Sequence, residues 1–82
     1  MYANDSLDAR SFPQIWASCD SGQRQKLTNR ISVRLECSSV AVWNYGKGNY
    51  SPRSINDKKE IVKIVKSLLG YNTSPETLFP EK

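Results

Sequence analysis

The sequence predicts an all-α protein, a compact bundle of four to five short helices. Apolar residues recur at helical spacings of three, four and seven in several separate segments. Serine precedes these segments or glycine follows them, as is typical of helix ends. No segment alternates polar and apolar residues over more than a few positions, which would be the pattern of a half-buried strand.

The chain of 82 residues is long enough for one domain and too short for two. A chain of this size buries only about 60% of the surface that its unfolded form exposes, so one modest core is expected. Residues 1–10 are polar and without period, and we expect a flexible N-terminal arm there. Residues 11–82 then form the single domain. The sequence shows neither a leader pattern nor a long apolar run, so we expect a cytoplasmic protein without membrane contact.

Two helices are predicted in the first half of the chain. The first runs from Phe12 to Cys19, with Pro13 in its first turn, and should end at residues 20–22. The second runs from Gln23 to about Leu35, with apolar residues along one face and basic residues on the others.

The most regular helical pattern lies in the second half, from Ile55 to Leu69. Ser54 can cap its start, and Gly70 can end it in the left-handed conformation. A further turn over residues 74–79 should pack Phe79 back on the core.

The stretch SSVAVWNYGKG, residues 38–48, allows two interpretations, a strand that enters a turn or a short capped helix. The helices on both sides favour the helix, because a lone strand has no partner for its backbone groups. One of the two serines would cap this helix, and Gly46 would end it in the left-handed conformation. Val40 and Trp43, three residues apart, would then face inward.

A helix that ends near Leu35, a short turn and a helix over residues 39–45 form a helix-turn-helix unit. The run SVAVWNYGK, residues 39–47, followed by Pro52, resembles the recognition-helix signature of Cro/repressor-type helix-turn-helix proteins. These are small one-domain regulators of bacteria and their phages or mobile elements. The resemblance covers residues 27–52 closely and implies sequence-specific binding to double-stranded DNA, with residues 39–45 in the major groove.

Two registers of this unit are open. The family usually has a glycine in the turn, whereas residues 34–37 contain none, and the spacing from Leu35 to Val40 is about two residues short. We favour the register with Val40 and Trp43 inward, because an exposed Trp forgoes about 1.5–3 kcal/mol of burial. The second register points Trp43 outward. Its inner positions are Ile31, Ser32, Leu35, Cys37, Val42 and Tyr45.

The favoured register identifies candidate DNA contacts. Hydroxyl groups can hydrogen-bond to base edges, small apolar side chains suit thymine methyl groups, and an Asn amide can pair with adenine. The candidate base contacts are Ser38, Ser39, Ala41, Val42, Asn44 and Tyr45. Phosphate contacts position a protein without reading sequence. The candidates for these are Arg24, Arg30, Lys47 and Arg53.

The distribution of charge agrees with a polyanionic partner. Residues 21–53 contain six Lys or Arg and a single acidic residue, Glu36, within a chain of net charge +4. The sequence therefore predicts a small DNA-binding transcription regulator associated with the nucleoid.

Catalysis finds no support in the sequence. The chain has no histidine and only two cysteines, Cys19 and Cys37, whose separation fits no zinc pattern. Both thiols are expected to be reduced and buried. Paired carboxylates in an apolar setting are also lacking. We therefore expect no enzyme, no metal, no cofactor and no small-molecule substrate.

The main alternative is a helical protein-protein interaction module with a basic surface. A homodimer is also left open, with a seam formed by Trp16 or by the face of Ile61, Val65 and Leu68. RNA binding is a third possibility, although the aromatic residues do not follow a sheet-platform pattern.

Overall fold

The computed structural model describes residues 8–80, which contain five helices and the segments that connect them. The helices are α1 (Phe12–Ser18), α2 (Ser21–Leu35), α3 (Ser39–Lys47), α4 (Ile55–Leu69) and α5 (Pro75–Leu78). No strand occurs within these residues. The all-α fold class is confirmed, and α4 has the bounds predicted for it.

The start of α2 differs from the prediction. Asp20, expected at the end of the first helix, caps the second one: its carboxylate accepts a hydrogen bond from the Gln23 backbone N–H at 2.8 Å. The Gln23 side chain in turn accepts one from the Asp20 backbone N–H at 3.0 Å. This reciprocal capping box satisfies two backbone donors. As a result α2 begins at Ser21, two residues before the predicted start at Gln23. Consequently α1 ends at Ser18, and only two residues separate the helices.

The end of α3 was also predicted wrongly. Gly48, with φ of 81°, adopts the left-handed conformation that ends α3, and Gly46 lies within the helix. Gly46 is buried, and a side chain there would collide with the indole of Trp16. The absence of a Cβ at position 46 therefore allows α3 to pack closely on α1.

The core is assembled from all five helices. α2 packs on α4 and α3, α1 packs on α3, and α5 packs on α4 and α1. Phe79 is buried as predicted, with its ring centroid 5.5 Å from that of Phe12. The fully buried side chains are Phe12, Ile15, Leu27, Ile31, Val42, Ile61, Val65 and Leu78.

The dimer seam considered from the sequence is not available as a surface. Ile61 and Val65 are fully buried, and Trp16 is 4% exposed, because all three belong to the core of the monomer. Leu68 is half-buried against the same core.

Residues 8–10, predicted to belong to the N-terminal arm, contact the loop between α4 and α5. The Asp8 backbone N–H donates to the Asn72 carbonyl at 2.6 Å. Arg10 forms an ion pair of 2.8 Å with Asp8, and its guanidinium lies 4.7 Å from the centre of the Tyr71 ring. The hydrogen bond from Arg10 lowers the pKa of the Asp8 carboxyl. Residues 1–7 of the predicted arm lie outside the described residues.

A membrane-spanning helix is not among α1 to α5, since none of them combines the length and apolar character that a bilayer requires.

Candidate nucleic-acid interface

Three residues, 36–38, connect α2 to α3. Glu36 ends α2 with φ of 55°, a left-handed conformation more often taken by glycine. The Cys37 backbone N–H donates to the Ser32 carbonyl at 3.0 Å, which satisfies an acceptor in the last turn of α2. Ser38 then caps α3, accepting a hydrogen bond from the Ala41 backbone N–H at 3.1 Å. A tight turn therefore forms here without a glycine.

The inner face of α3 consists of Val42, Tyr45 and Gly46. Val42 is fully buried, and Tyr45 is half-buried with its ring centroid 6.3 Å from that of Phe79. Burial raises the pKa of the Tyr45 hydroxyl. The expectation that Val42 and Tyr45 face outward as base contacts is therefore wrong, because this side of α3 lies against the core.

The outer face of α3 carries the two residues that we expected inside. Val40 is 66% exposed and Trp43 is 42% exposed. Trp43 keeps part of its burial through an edge contact with Trp16, at 5.1 Å between ring centroids and 78° between ring planes. Trp43 is therefore partly buried although it lies on the outer face, and it forgoes only part of the burial free energy that a fully exposed Trp would lose.

The burial pattern of residues 31–45 agrees with the second register and not with the first. The six inner positions of the second register are all buried or half-buried, whereas Val40 and Trp43 are exposed. Those inner positions are Ile31, Ser32, Leu35, Cys37, Val42 and Tyr45.

The other candidate base contacts differ in their exposure and in whether their side chains already form hydrogen bonds. Ser38 and Ser39 are exposed at the start of α3, and Ala41 is half-buried. The amide nitrogen of Asn44 donates to the Val40 carbonyl at 3.0 Å, and its amide oxygen accepts from the side chain of Asn49 at 2.8 Å. A base contact by Asn44 would therefore require it to exchange existing hydrogen bonds.

Two adjacent concavities lie along α2, and one of them reaches the outer face of α3. The first has a volume of about 270 Å³ and lies between Trp43 and the first half of α2, including Arg24 and Asn29. The second has a volume of about 570 Å³ and lies between α2 and the end of α4, where Lys26 and Arg30 line it. Asn29 lines both, so the two concavities adjoin along α2.

The cations of α2, α3 and the loop that follows α3 are largely unpaired. Four exposed cations form no ion pair within residues 8–80: Lys26, Arg30, Lys47 and Arg53. Three of these were predicted as phosphate contacts, and Lys26 was not among the predicted ones. Arg34, by contrast, forms an ion pair of 2.7 Å with Glu60, which lowers the pKa of the Glu60 carboxyl.

Arg24, the fourth predicted phosphate contact, has a structural role as well. Its Nε donates to the Trp16 carbonyl at 3.0 Å, and Nη2 donates to the Ala17 carbonyl at 3.4 Å. These bonds satisfy backbone acceptors at the end of α1. A phosphate contact by Arg24 stays a prediction, and it would have to share the guanidinium with α1.

Val40 and Trp43 are exposed residues that we had not counted as contacts. The second register already pointed Trp43 outward, but nothing in the local sequence favoured that register over the first. Lys26 lies one turn before Arg30 and could have been found from helical spacing alone.

Metal-binding and redox features are weak in the described part of the chain. No group of three His, Cys, Asp or Glu side chains that could hold a metal ion occurs there. Cys19 and Cys37 are free thiols, buried and half-buried, and burial raises the pKa of both. The reactive thiolate is thereby disfavoured.

Comparison with known proteins gives no match, either to a protein-family model, to a curated protein or to a solved structure. The resemblance to Cro/repressor-type proteins therefore stays a prediction, and the function of the chain must be inferred from its own surface.

Proposed function

We propose that this protein binds double-stranded DNA sequence-specifically and acts as a small transcription regulator, with α3 in the major groove. The observation that carries this proposal is the outer face of α3. Ser39, Val40 and Trp43 are exposed along one side of a short capped helix, and unpaired cations flank it. The major groove, about 12 Å wide, admits such a helix. A protein with this role would be associated with the nucleoid.

The start of α3 suits contacts with the edge of the groove. Ser38 and Ser39 are exposed there, and the Ser38 hydroxyl accepts a bond from Ala41 while its own proton is free to donate. The positive end of the helix dipole favours a nearby phosphate at the same place. We therefore assign contacts with base edges or phosphates to these two hydroxyls.

The cations determine how strongly binding depends on salt. Each phosphate neutralised on duplex DNA contributes a slope of about −0.9 to the dependence of log K on log salt concentration. If Lys26, Arg30, Lys47 and Arg53 each neutralise one phosphate, the slope is about −3.6. Affinity should then fall roughly a hundredfold between about 50 mM and about 200 mM salt.

The test is a fluorescence anisotropy titration of the full chain against a labelled pool of random-sequence duplexes at several salt concentrations. Arg30→Gln and Lys47→Gln should each weaken binding and reduce the magnitude of the salt slope by about one. Lys59→Gln is the matched control, because Lys59 is exposed on α4 and lines neither concavity along α2. Absence of duplex binding near 50 mM salt would refute the proposal.

A protein-protein interaction module is the second candidate. The exposure of Val40 at 66% beside Trp43 at 42% favours it, because an apolar contact of this kind also suits a protein partner. A sizing-column series over protein concentration tests self-association, including the homodimer. This candidate becomes the better one if duplexes do not bind and Val40→Ser changes the elution volume.

A further inference from the structure

The outer face of α3 is poorly equipped to read purine bases. Guanine is read best by Arg or Lys and adenine by Asn or Gln. Residues 39–47 contain neither Arg nor Gln, and the amide of Asn44 is already bonded to Val40 and Asn49. Lys47 is the last residue of α3, whereas base contacts come mainly from the first turns of a recognition helix.

The same face is well equipped to contact methyl groups. Val40, a β-branched residue in the first turn of α3, is 66% exposed. Trp43 exposes less than half of its indole, and its edge contact with Trp16 holds the ring in one orientation. Among the four DNA bases, only thymine presents a methyl group in the major groove, and apolar side chains can contact that methyl group.

We infer that Val40 and Trp43 read thymine through its 5-methyl group, so that the base pairs facing α3 in the preferred site are rich in A·T. This inference rests on the proposed DNA binding. Three residues of α-helix rise about 4.5 Å, and neighbouring base pairs are about 3.4 Å apart. Val40 and Trp43 would therefore contact the same base pair or adjacent ones.

The charges on the surrounding surface favour DNA over an apolar protein surface as the occupant. Arg24 lines the concavity that Trp43 also lines, and the Lys47 ammonium lies 6.0 Å from the centre of the Trp43 ring. These cations form no ion pair within residues 8–80. A polyanion that also presents methyl groups complements both features of this surface.

The experiment begins with a duplex selected by the wild-type protein from a random pool. The same duplex is then made with deoxyuridine in place of every thymidine, which removes the methyl groups and retains base pairing. Each buried methyl is worth about fourfold in affinity, which corresponds to about 0.8 kcal/mol. Binding should therefore weaken about fourfold to fifteenfold for one or two methyl contacts.

The variant Val40→Ala tests whether the loss of affinity for the uracil duplex depends on the Val40 side chain. Val40 is exposed, so the variant should fold, and circular dichroism checks this. The ratio of thymine to uracil affinity should fall by roughly fourfold relative to wild type if Val40 buries one methyl. Ile55→Ala is the control, a truncation of an apolar side chain that is 50% exposed at the start of α4 and lines neither concavity along α2, and its ratio should equal that of wild type.

The outcomes separate the inference from the proposed function. Equal binding of the thymine and uracil duplexes, with salt-dependent binding intact, overturns thymine reading and leaves DNA binding standing. A ratio in Val40→Ala equal to that of wild type overturns the assignment to Val40. Failure of every duplex to bind overturns the proposed function, and the face of Val40 and Trp43 is then assigned to a protein partner.

Discussion

Gly46→Ala should destabilise the protein, although alanine is the better helix former. An added Cβ would lie 2.5 Å from Cγ and 2.6 Å from Cε2 of the Trp16 indole. Carbon atoms of this kind make favourable contact only beyond about 3.5 Å. α1 and α3 would therefore have to separate by about 1 Å, or Trp16 would have to move.

Trp16 has little freedom to move. Its side chain is 4% exposed, and its ring lies 5.9 Å from Phe12 and 5.1 Å from Trp43 by ring centroids. Overpacking in such a site costs typically about 1–3 kcal/mol, and three ring atoms in collision place this case at the upper end. Replacing Gly by Ala within a helix recovers about 1 kcal/mol. The expected net loss in the free energy of unfolding is about 2 kcal/mol.

Urea denaturation followed by tryptophan fluorescence and circular dichroism measures this loss. With an m-value of about 1 kcal/mol/M for a small domain, the midpoint should fall by about 2 M. Gly22→Ala is the matched control, since the added Cβ would lie 3.5 Å from the Asp20 carboxylate, an ordinary contact. That variant should be as stable as wild type or more stable by up to about 1 kcal/mol. A Gly46→Ala protein as stable as wild type would refute the close packing of α1 on α3.

Three further outcomes are expected in the same urea assay. Val42→Glu should largely unfold the protein, because a charged side chain at a fully buried position costs more than about 4 kcal/mol; a folded variant would show that Val42 faces solvent. Trp43→Ala should cost clearly less than Trp16→Ala, for which about 3–5 kcal/mol is expected, because Trp43 is 42% exposed and Trp16 only 4%; equal losses would contradict the register of α3. Gly48→Ala should cost about 1 kcal/mol, since φ at this position is 81°, and an unchanged midpoint would argue against the left-handed end of α3.

The helices themselves could be predicted because their signals are local. α4 runs from Ile55 to Leu69 as expected, since periodic apolar residues, a serine cap and a following glycine occur together in one short segment. The boundary between α1 and α2 was predicted less accurately from the sequence. Asp20 serves equally as a helix stop or a helix cap in sequence, and the capping box with Gln23 decides between them.

The candidate site was predicted only in part. Ser38 and Ser39 are exposed as expected, and so are the cations Arg30, Lys47 and Arg53. Val42 and Tyr45 could not be assigned to the inner or the outer face of α3 from the sequence. Apolar residues occur on both sides of the helix over residues 40–45, so either side could face the core. Local sequence carries no information on which side α1 will cover.

The sequence by itself determined that this chain forms a bundle of short helices with a basic surface around residues 38–48, because helical period, capping residues and charge are properties of neighbouring residues. Only the tertiary structure decided which way α3 faces. Gly46 admits the indole of Trp16, and that contact, between residues 30 positions apart, directs Val42 inward and leaves Val40 and Trp43 exposed to solvent.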